Sequence, residues 1–272
     1  MSSRRTRRAA RPTAAQVARL AQLLPLLEQA HGPRPATVRG RCLDLLVACM
    51  LTQNTNMANA RSGYRQLRRA FASWTQVMLA PIDDVQRCIA VCGLARMRAR
   101  RLQALLRTIK QREGKLDLQF LGERSPGEAF DYLMGFYGIG PKTAACTLLF
   151  AFNMPVFPVD KGIHRLARRL SLVRGKAGEA ETGTTIGGML RPPAHYPLHV
   201  LMFAHAKEYC RPRNPRCRQC QLMPLCGYGQ RRSRHRPPKQ MERPAAPRRP
   251  RPIILSRAAG GGIARHGDGE VD

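Results

Sequence analysis

Residues 136–161 read FYGIGPKTAACTLLFAFNMPVFPVDK. Between two helical patterns stands a turn, Gly138-Ile139-Gly140-Pro141. Gly138 and Gly140 permit backbone angles and close approaches that a Cβ would forbid. Pro141 suits the first turn of a following helix, where its missing N–H leaves nothing unpaired. The small, apolar run from Thr143 to Phe152 continues as that helix. A turn feeding a helix N-terminus leaves several backbone N–H groups without partners, and these suit a phosphate oxygen. Lys142 lies at this start, where the helix dipole is positive. That placement favours the neutral amine, so a lowered pKa is expected. A neutral lysine amine is the nucleophile of Schiff-base chemistry. From position alone, a solvated lysine at a helix start explains the residue at least as well.

Working outward toward the N-terminus, Pro126–Gly135 forms the helix that enters the turn, and Arg96–Arg112 is a basic helix with apolar Leu102, Leu105, Leu106 and Ile109. Gly93-Leu94-Ala95-Arg96 is a turn with a leucine in it. Pro81 opens a helix to about Cys92, and Ala72–Ala80 carries Trp74 as a core anchor. Cys42–Leu51 is almost wholly apolar, hence a helix buried all round. It ends in the polar cluster Thr52-Gln53-Asn54-Thr55-Asn56, where Thr55 or Asn56 caps the next helix, Met57–Phe71. His31–Gly40 is a linker, and Ala14–Ala30 has helical spacing with a kink site at Pro25.

Toward the C-terminus, Ile163–Leu172 and Tyr196–Tyr209 read as helices, whereas Arg174–Pro193 is rich in Gly, Thr and Pro and weakly patterned. From about Arg231 no periodicity survives, and residues 231–272 are expected to be a disordered basic tail, as residues 1–12 are a disordered basic arm. No β-type alternation of any length occurs, so the expected fold class is all-α.

The 272 residues are 43% apolar, enough for one large domain or two small ones, and carry a formal net charge of +30. That imbalance favours a polyanionic partner, nucleic acid before acidic membrane. The basic residues are mostly arginine, which forks onto phosphate. No apolar run reaches the roughly 18 residues of a membrane span. The acid-free N-terminus lacks the apolar core of a secretory signal. It reads as a DNA-binding arm before a mitochondrial presequence, so the protein is expected inside the cell, in cytoplasm or nucleoid, or in a nucleus or mitochondrion if eukaryotic.

Nine cysteines make an odd total, which suits a reducing compartment. Cys42, Cys49, Cys88, Cys92 and Cys146 are scattered through apolar helical patterns and read as buried small hydrophobes. Cys210, Cys217, Cys220 and Cys226 are spaced C-x6-C-x2-C-x5-C. Four thiolates in so short a loop make a metal or cluster site, and spacing alone leaves structural zinc and iron–sulfur open. Arg211, Arg213, Arg216 and Arg218 in the same loop make it a phosphate clamp.

Taken together, these residues resemble the endonuclease III branch of the helix-hairpin-helix DNA glycosylases. The likeness covers about Ala14–Tyr228 and rests on Gly138-Ile-Gly-Pro-Lys142-Thr-Ala-Ala, Pro158-Val-Asp160 and the four-cysteine spacing. The resemblance implies a [4Fe–4S] cluster on those cysteines rather than zinc. It implies that Gly138, Ile139 and Gly140 grip the DNA backbone beside a lesion. Lys142 is then the catalytic lysine and Asp160 the carboxylate beside it. Gln53 fills the gap left by the extruded nucleotide, and Leu94 wedges the opposite strand. The implied architecture is a six-helix barrel domain, 35–151, and a cluster domain built from 13–34 and 152–230, with Lys142 and Asp160 facing across a cleft. The implied activity is base excision of damaged bases, oxidised pyrimidines first, with strand cleavage by β-elimination. The partner is double-stranded DNA with damaged bases or abasic sites, and the protein is expected to act as a monomer, with no membrane.

Three departures bear on substrate range. Phe136-Tyr137 stands where the family has Leu-Pro, Lys161-Gly162 where it has Thr-His, and Arg174–Arg191 lacks the usual helical regularity. Lys161 either helps lower the pKa of Lys142 or pairs with Asp160. A glycosylase for alkylated bases or G·T and U mismatches is the alternative, and a non-catalytic DNA-binding protein the second. An adenine-mismatch glycosylase fits less well, because that branch lacks the lysine.

Overall fold

The computed structural model describes residues 11–235, and among them every regular element is helical. The expectations for residues 1–10 and 236–272 lie outside the described residues.

The first helix, α1 (Ala14–His31), opens on a capping box: the Thr13 hydroxyl accepts from the Gln16 N–H and the Gln16 side chain accepts from the Thr13 N–H. Six helices and the hairpin then build one core: α2 (Cys42–Leu51), α3 (Met57–Ala70), α4 (Trp74–Leu79), α5 (Ile82–Ile89), α6 (Ala95–Glu113) and α7 (Pro126–Met134), closed by α8 (Pro141–Phe152). α8 packs along α2, and Leu46, Leu51, Leu102, Leu106, Leu133 and Leu148 are fully buried between the layers. Each such leucine is worth roughly 1.5–3 kcal/mol. Trp74 anchors this core, donating its indole N–H to Asp44 Oδ1 at 2.7 Å.

A second core joins α1 to α9 (Lys161–Arg169), α10 (Glu179–Met189), α11 (His195–Glu208) and the loop before α12 (Gly227–His235). Leu20, Leu23 and Leu27 of α1 meet Ile163, Leu166, Leu198, Leu201 and Met202, with Cys210 and Cys226 in the same cluster. The N-terminal helix thus closes on the C-terminal half.

Two stretches differ from expectation. Residues 179–189 are helical although their pattern is weak. Only Thr182 and Ile186 of α10 are buried; the Thr182 hydroxyl sits 2.9 Å from His164 Nδ1 and donates to Gly178 O at 2.7 Å. Gly183 is needed for contact, since a Cβ there would stand 2.8 Å from Phe157 O. Tertiary packing overrides the roughly 1 kcal/mol that each helical glycine costs. Residues 231–235, expected in the disordered tail, continue α12. That helix is held at its start by the Arg169 guanidinium, 4.1 Å from the Tyr228 ring centroid, and by Gln230 donating to Pro224 O at 3.1 Å.

Candidate functional site

The chain leaves α7 at Met134, turns through 135–140 and re-enters helix with Pro141 in the first turn of α8. Gly138 has φ +82°, the left-handed region that disfavours a side chain, whereas Gly140 at φ −101° is the N-cap and needs no such freedom. Buried Phe136 and Ile139 pin the turn to the first core, and the Ile139 N–H donates to Phe136 O at 3.1 Å. The N–H groups of Gly138, Gly140 and Lys142 donate to no acceptor among the described residues. They cluster at the positive end of α8, the arrangement that takes an anion.

Gln53 follows α2 and docks on this turn. Its amide donates to Gly138 O at 3.1 Å and to Thr143 Oγ1 at 3.3 Å. Capping is done two residues on from Asn54 by Asn56, whose side chain accepts from Asn59 N–H at 2.8 Å. The polar cluster therefore serves both purposes with different residues.

Sequence reading missed Arg98. Its buried guanidinium donates to Gly93 O at 2.7 Å, to Met50 O and Leu51 O at 3.5 Å each, and to Gln53 O. One cation thus satisfies the carbonyl end of α2 and ties Gln53 to the Gly93-Leu94 turn. Leu94 is left-handed at φ 50° and 63% exposed. Nothing in a basic helix pattern marks which arginine faces inward.

Lys142 is half-buried on the wall of a cavity of about 930 Å³, whose other walls include Gln53, Gly138, Phe130, Phe157 and Gly188. One helical turn on lies buried Cys146, joined by Cys49 from α2 and His199 from α11. The lowered lysine pKa expected from the helix dipole is not what the structure gives. Cys146 pushes the Lys142 pKa up, with Cys49 and Asp160 adding to it and burial opposing. A charge in contact outweighs a partial charge spread over a helix end. Cys146 is held well below the ordinary thiol range by the hydrogen bond from Cys49, then by Lys142 and His199. Cys49 is pushed up correspondingly, first by donating to Cys146. Cys49 and Cys146 are therefore not mere apolar filler.

Asp160 is the N-cap of α9, and its Oδ1 accepts from Ile163 N–H at 2.7 Å. It forms no close ion pair with Lys142 but adds to the field around it. Lys161 is exposed and pairs with no carboxylate among the described residues, so neither effect imagined for it is seen.

Cys210, Cys217, Cys220 and Cys226 line one small cavity beneath α9. Burial pushes Cys217 and Cys226 up and Cys220 to about 11, and the neighbouring thiols raise all three further. Hydrogen-bond donors already face this sulfur set: Arg169 Nη1 stands 3.2 Å from Cys210 Sγ and Gly229 N 3.3 Å from Cys226 Sγ. His205 Nε2 lies 3.2 Å from Cys220 Sγ, its pKa lowered to about 3 by burial and by His31. Among the described residues no three His, Cys, Asp or Glu side chains close on a single metal ion. Arg211, Arg213, Arg216 and Arg218 are all exposed on this loop, and none lines the cavity at Lys142.

Residues 47–192 match the family model described as HhH-GPD superfamily base excision DNA repair protein. The chain belongs to that superfamily. An endonuclease III of Thermotoga maritima is 26% identical over 190 residues, 70% of this chain and 84% of that protein. A protein of Arabidopsis thaliana described as a DNA glycosylase is 30% identical over 165 residues, 61% of this chain, which spans 56% of that relative. The fold matches the solved structure of a non-covalent endonuclease III–DNA complex with a TM-score of 0.70 at 22% identity, covering 80% of this chain and 98% of that one. Within that superfamily the chain is similar to endonucleases III in sequence and in fold. The matched region contains the hairpin, Lys142 and Asp160, and ends before the four cysteines.

Proposed function

We propose that this protein is a DNA glycosylase that also acts as an AP lyase, with Lys142 as nucleophile and oxidised pyrimidines as its first substrate class. The observation that carries the reading is the Lys142 amine on a large cavity directly behind the unpaired N–H groups of Gly138 and Gly140. A hairpin that takes a backbone phosphate would present the adjoining nucleotide, flipped out of the duplex, to that amine.

The chemistry follows from the neighbours. Lys142 loses its ammonium proton to solvent, which leaves the neutral amine. The amine attacks C1′ of the damaged nucleotide and the C1′–N bond breaks, its electrons leaving with the base. Asp160 stabilises positive charge on the sugar. Ring opening gives a protonated imine between Lys142 and C1′. Loss of a C2′ proton then expels the 3′ phosphate by β-elimination, and water hydrolyses the imine to free the lysine. Gln53 fills the vacated stack and Leu94 wedges the opposite strand. Arg211, Arg213, Arg216 and Arg218 hold the flanking backbone.

The thiols and their donors fit a [4Fe–4S] cluster on Cys210, Cys217, Cys220 and Cys226. Such a cluster would tie the loop together through the four thiolates and would supply no chemistry to the steps above. Damaged or abasic duplex DNA bound by one monomer is the working complex.

Borohydride reduction traps the imine. Wild-type protein with duplex carrying an abasic site should yield a covalent adduct, and Lys142→Ala should lose it by about a thousandfold or more. Equal trapping by Lys142→Ala removes the assignment. A second reading, excision of alkylated bases, draws on the cavity's size and its bare Gly188 wall, where an added Cβ would meet nothing within 4 Å. Turnover on a panel of duplexes with oxidised, alkylated and mismatched bases separates the two.

A further inference from the structure

Tyr137 is the most exposed large hydrophobic residue described, 81% open to solvent at the tip of the hairpin. It is not there to pack: its neighbours in sequence, Phe136 and Ile139, hold the turn from below. The Arg101 guanidinium lies 5.8 Å from its ring centroid, and Arg101 Cδ passes 4.0 Å from the position of a Gly138 Cβ. Arg101 pairs with no carboxylate among the described residues. Along the same face of α6, at helical spacing, come Met97 and Leu94, both exposed, and these three line a shallow hollow with Gln53. An exposed aromatic ring, an uncompensated guanidinium and two apolar tips thus form one shelf running from the hairpin to the Leu94 turn.

We propose that Tyr137 stacks on a nucleobase beside the extruded nucleotide while Arg101, held against its ring, takes the adjacent phosphate. The shelf is continuous with the unpaired N–H groups of Gly138 and Gly140, and its charge is complementary to a nucleic-acid backbone. Base–aromatic stacking tolerates any sequence, so this contact adds affinity at a lesion without choosing the lesion. The inference rests on the glycosylase reading for its orientation, not for its existence.

The test uses the full-length protein with its cofactor and a duplex bearing a tetrahydrofuran abasic analogue, which cannot be cleaved, flanked by 2-aminopurine. Tyr137→Ala should raise Kd about tenfold and weaken the 2-aminopurine quench, while Tyr137→Phe stays within about twofold of wild type. On a duplex with a cleavable abasic site, the loss should fall on KM rather than on the rate at saturating DNA. Arg101→Met should lower the slope of log Kd against log salt by about one. Wild-type affinity and quench in Tyr137→Ala overturn the proposal, as does a change in self-association in place of DNA affinity. If wild type bound abasic and intact duplex alike, the glycosylase reading would fall, and single-stranded DNA with Tyr137→Ala against Tyr137→Phe would still decide the stacking.

Discussion

Two groups of cysteines face opposite problems in this molecule. Cys49 and Cys146 lie between close-packed helices, beside the ammonium of Lys142 and the ring of His199, and there the Cys146 thiol is driven down. Cys217, Cys220 and Cys226 lie in an irregular loop around a cavity, and there burial and mutual repulsion drive the thiols up. Cys146 is driven down first by the hydrogen bond from Cys49 and then by Lys142 and His199, whereas the loop thiols are driven up first by burial and then by one another. The first group is electrostatically complete within the chain. For the second, the proposed [4Fe–4S] core would supply the missing positive charge.

The largest effect should come from breaking the second group. Cys220→Ser removes one of the four thiols around the cavity and, with it, one partner of His205. Loss of a structural metal centre costs such a domain several kcal/mol. The purified variant should lack the brown colour and bound iron of wild type and unfold its C-terminal half well below the wild-type Tm, read by iron analysis and calorimetry. A variant that is as coloured and as stable as wild type would place the cluster elsewhere.

A smaller effect should come from the first group. With Cys146→Ala, the main influence holding the Lys142 pKa up is gone. Imine formation needs the neutral amine, whose fraction rises with pH through the lysine pKa. A raised pKa puts that rise at higher pH, so its removal should move the rate–pH curve for borohydride trapping toward acid. The conservative Cys146→Ser should shift it almost as far, since a hydroxyl does not ionise in this range. An unmoved curve would mean that Cys146 is neutral and that the contrast between the two groups is one of packing alone.

How far these features could be read in advance follows from where their causes lie. The hairpin and α8 were legible because Gly138 and Pro141 act on the backbone locally. The gathering of the four cysteines around one cavity was legible because they are close in sequence. The Lys142–Cys146 contact spans one helical turn and was available from spacing, but Cys49 arrives from α2 and His199 from α11. No local pattern announces those meetings, and they reverse the sign of the lysine shift. Arg98 was lost among the arginines of α6 for the same reason: its inward direction is set by the carbonyl end of α2. In α10 the glycines that erase the apolar pattern are also those that let Phe157 approach, so the signal and its absence share a cause.

The smallest effect concerns the cation that does not take part. Lys161 sits next to Asp160 in sequence, where a charge pair could have blunted the carboxylate. The fold prevents this by making Asp160 the N-cap of α9, with Oδ1 committed to the Ile163 N–H at 2.7 Å, while Lys161 begins the helix with its side chain in solvent. An exposed charge at such a place is worth about 0–1 kcal/mol and is screened by salt. Lys161→Ala should therefore change the trapping rate by no more than about threefold at physiological salt, and the small change should shrink further in added salt. A large, salt-resistant change would show that Lys161 reaches the Lys142–Cys146 pair after all, and that the ionised group of cysteines is balanced by two lysines rather than one.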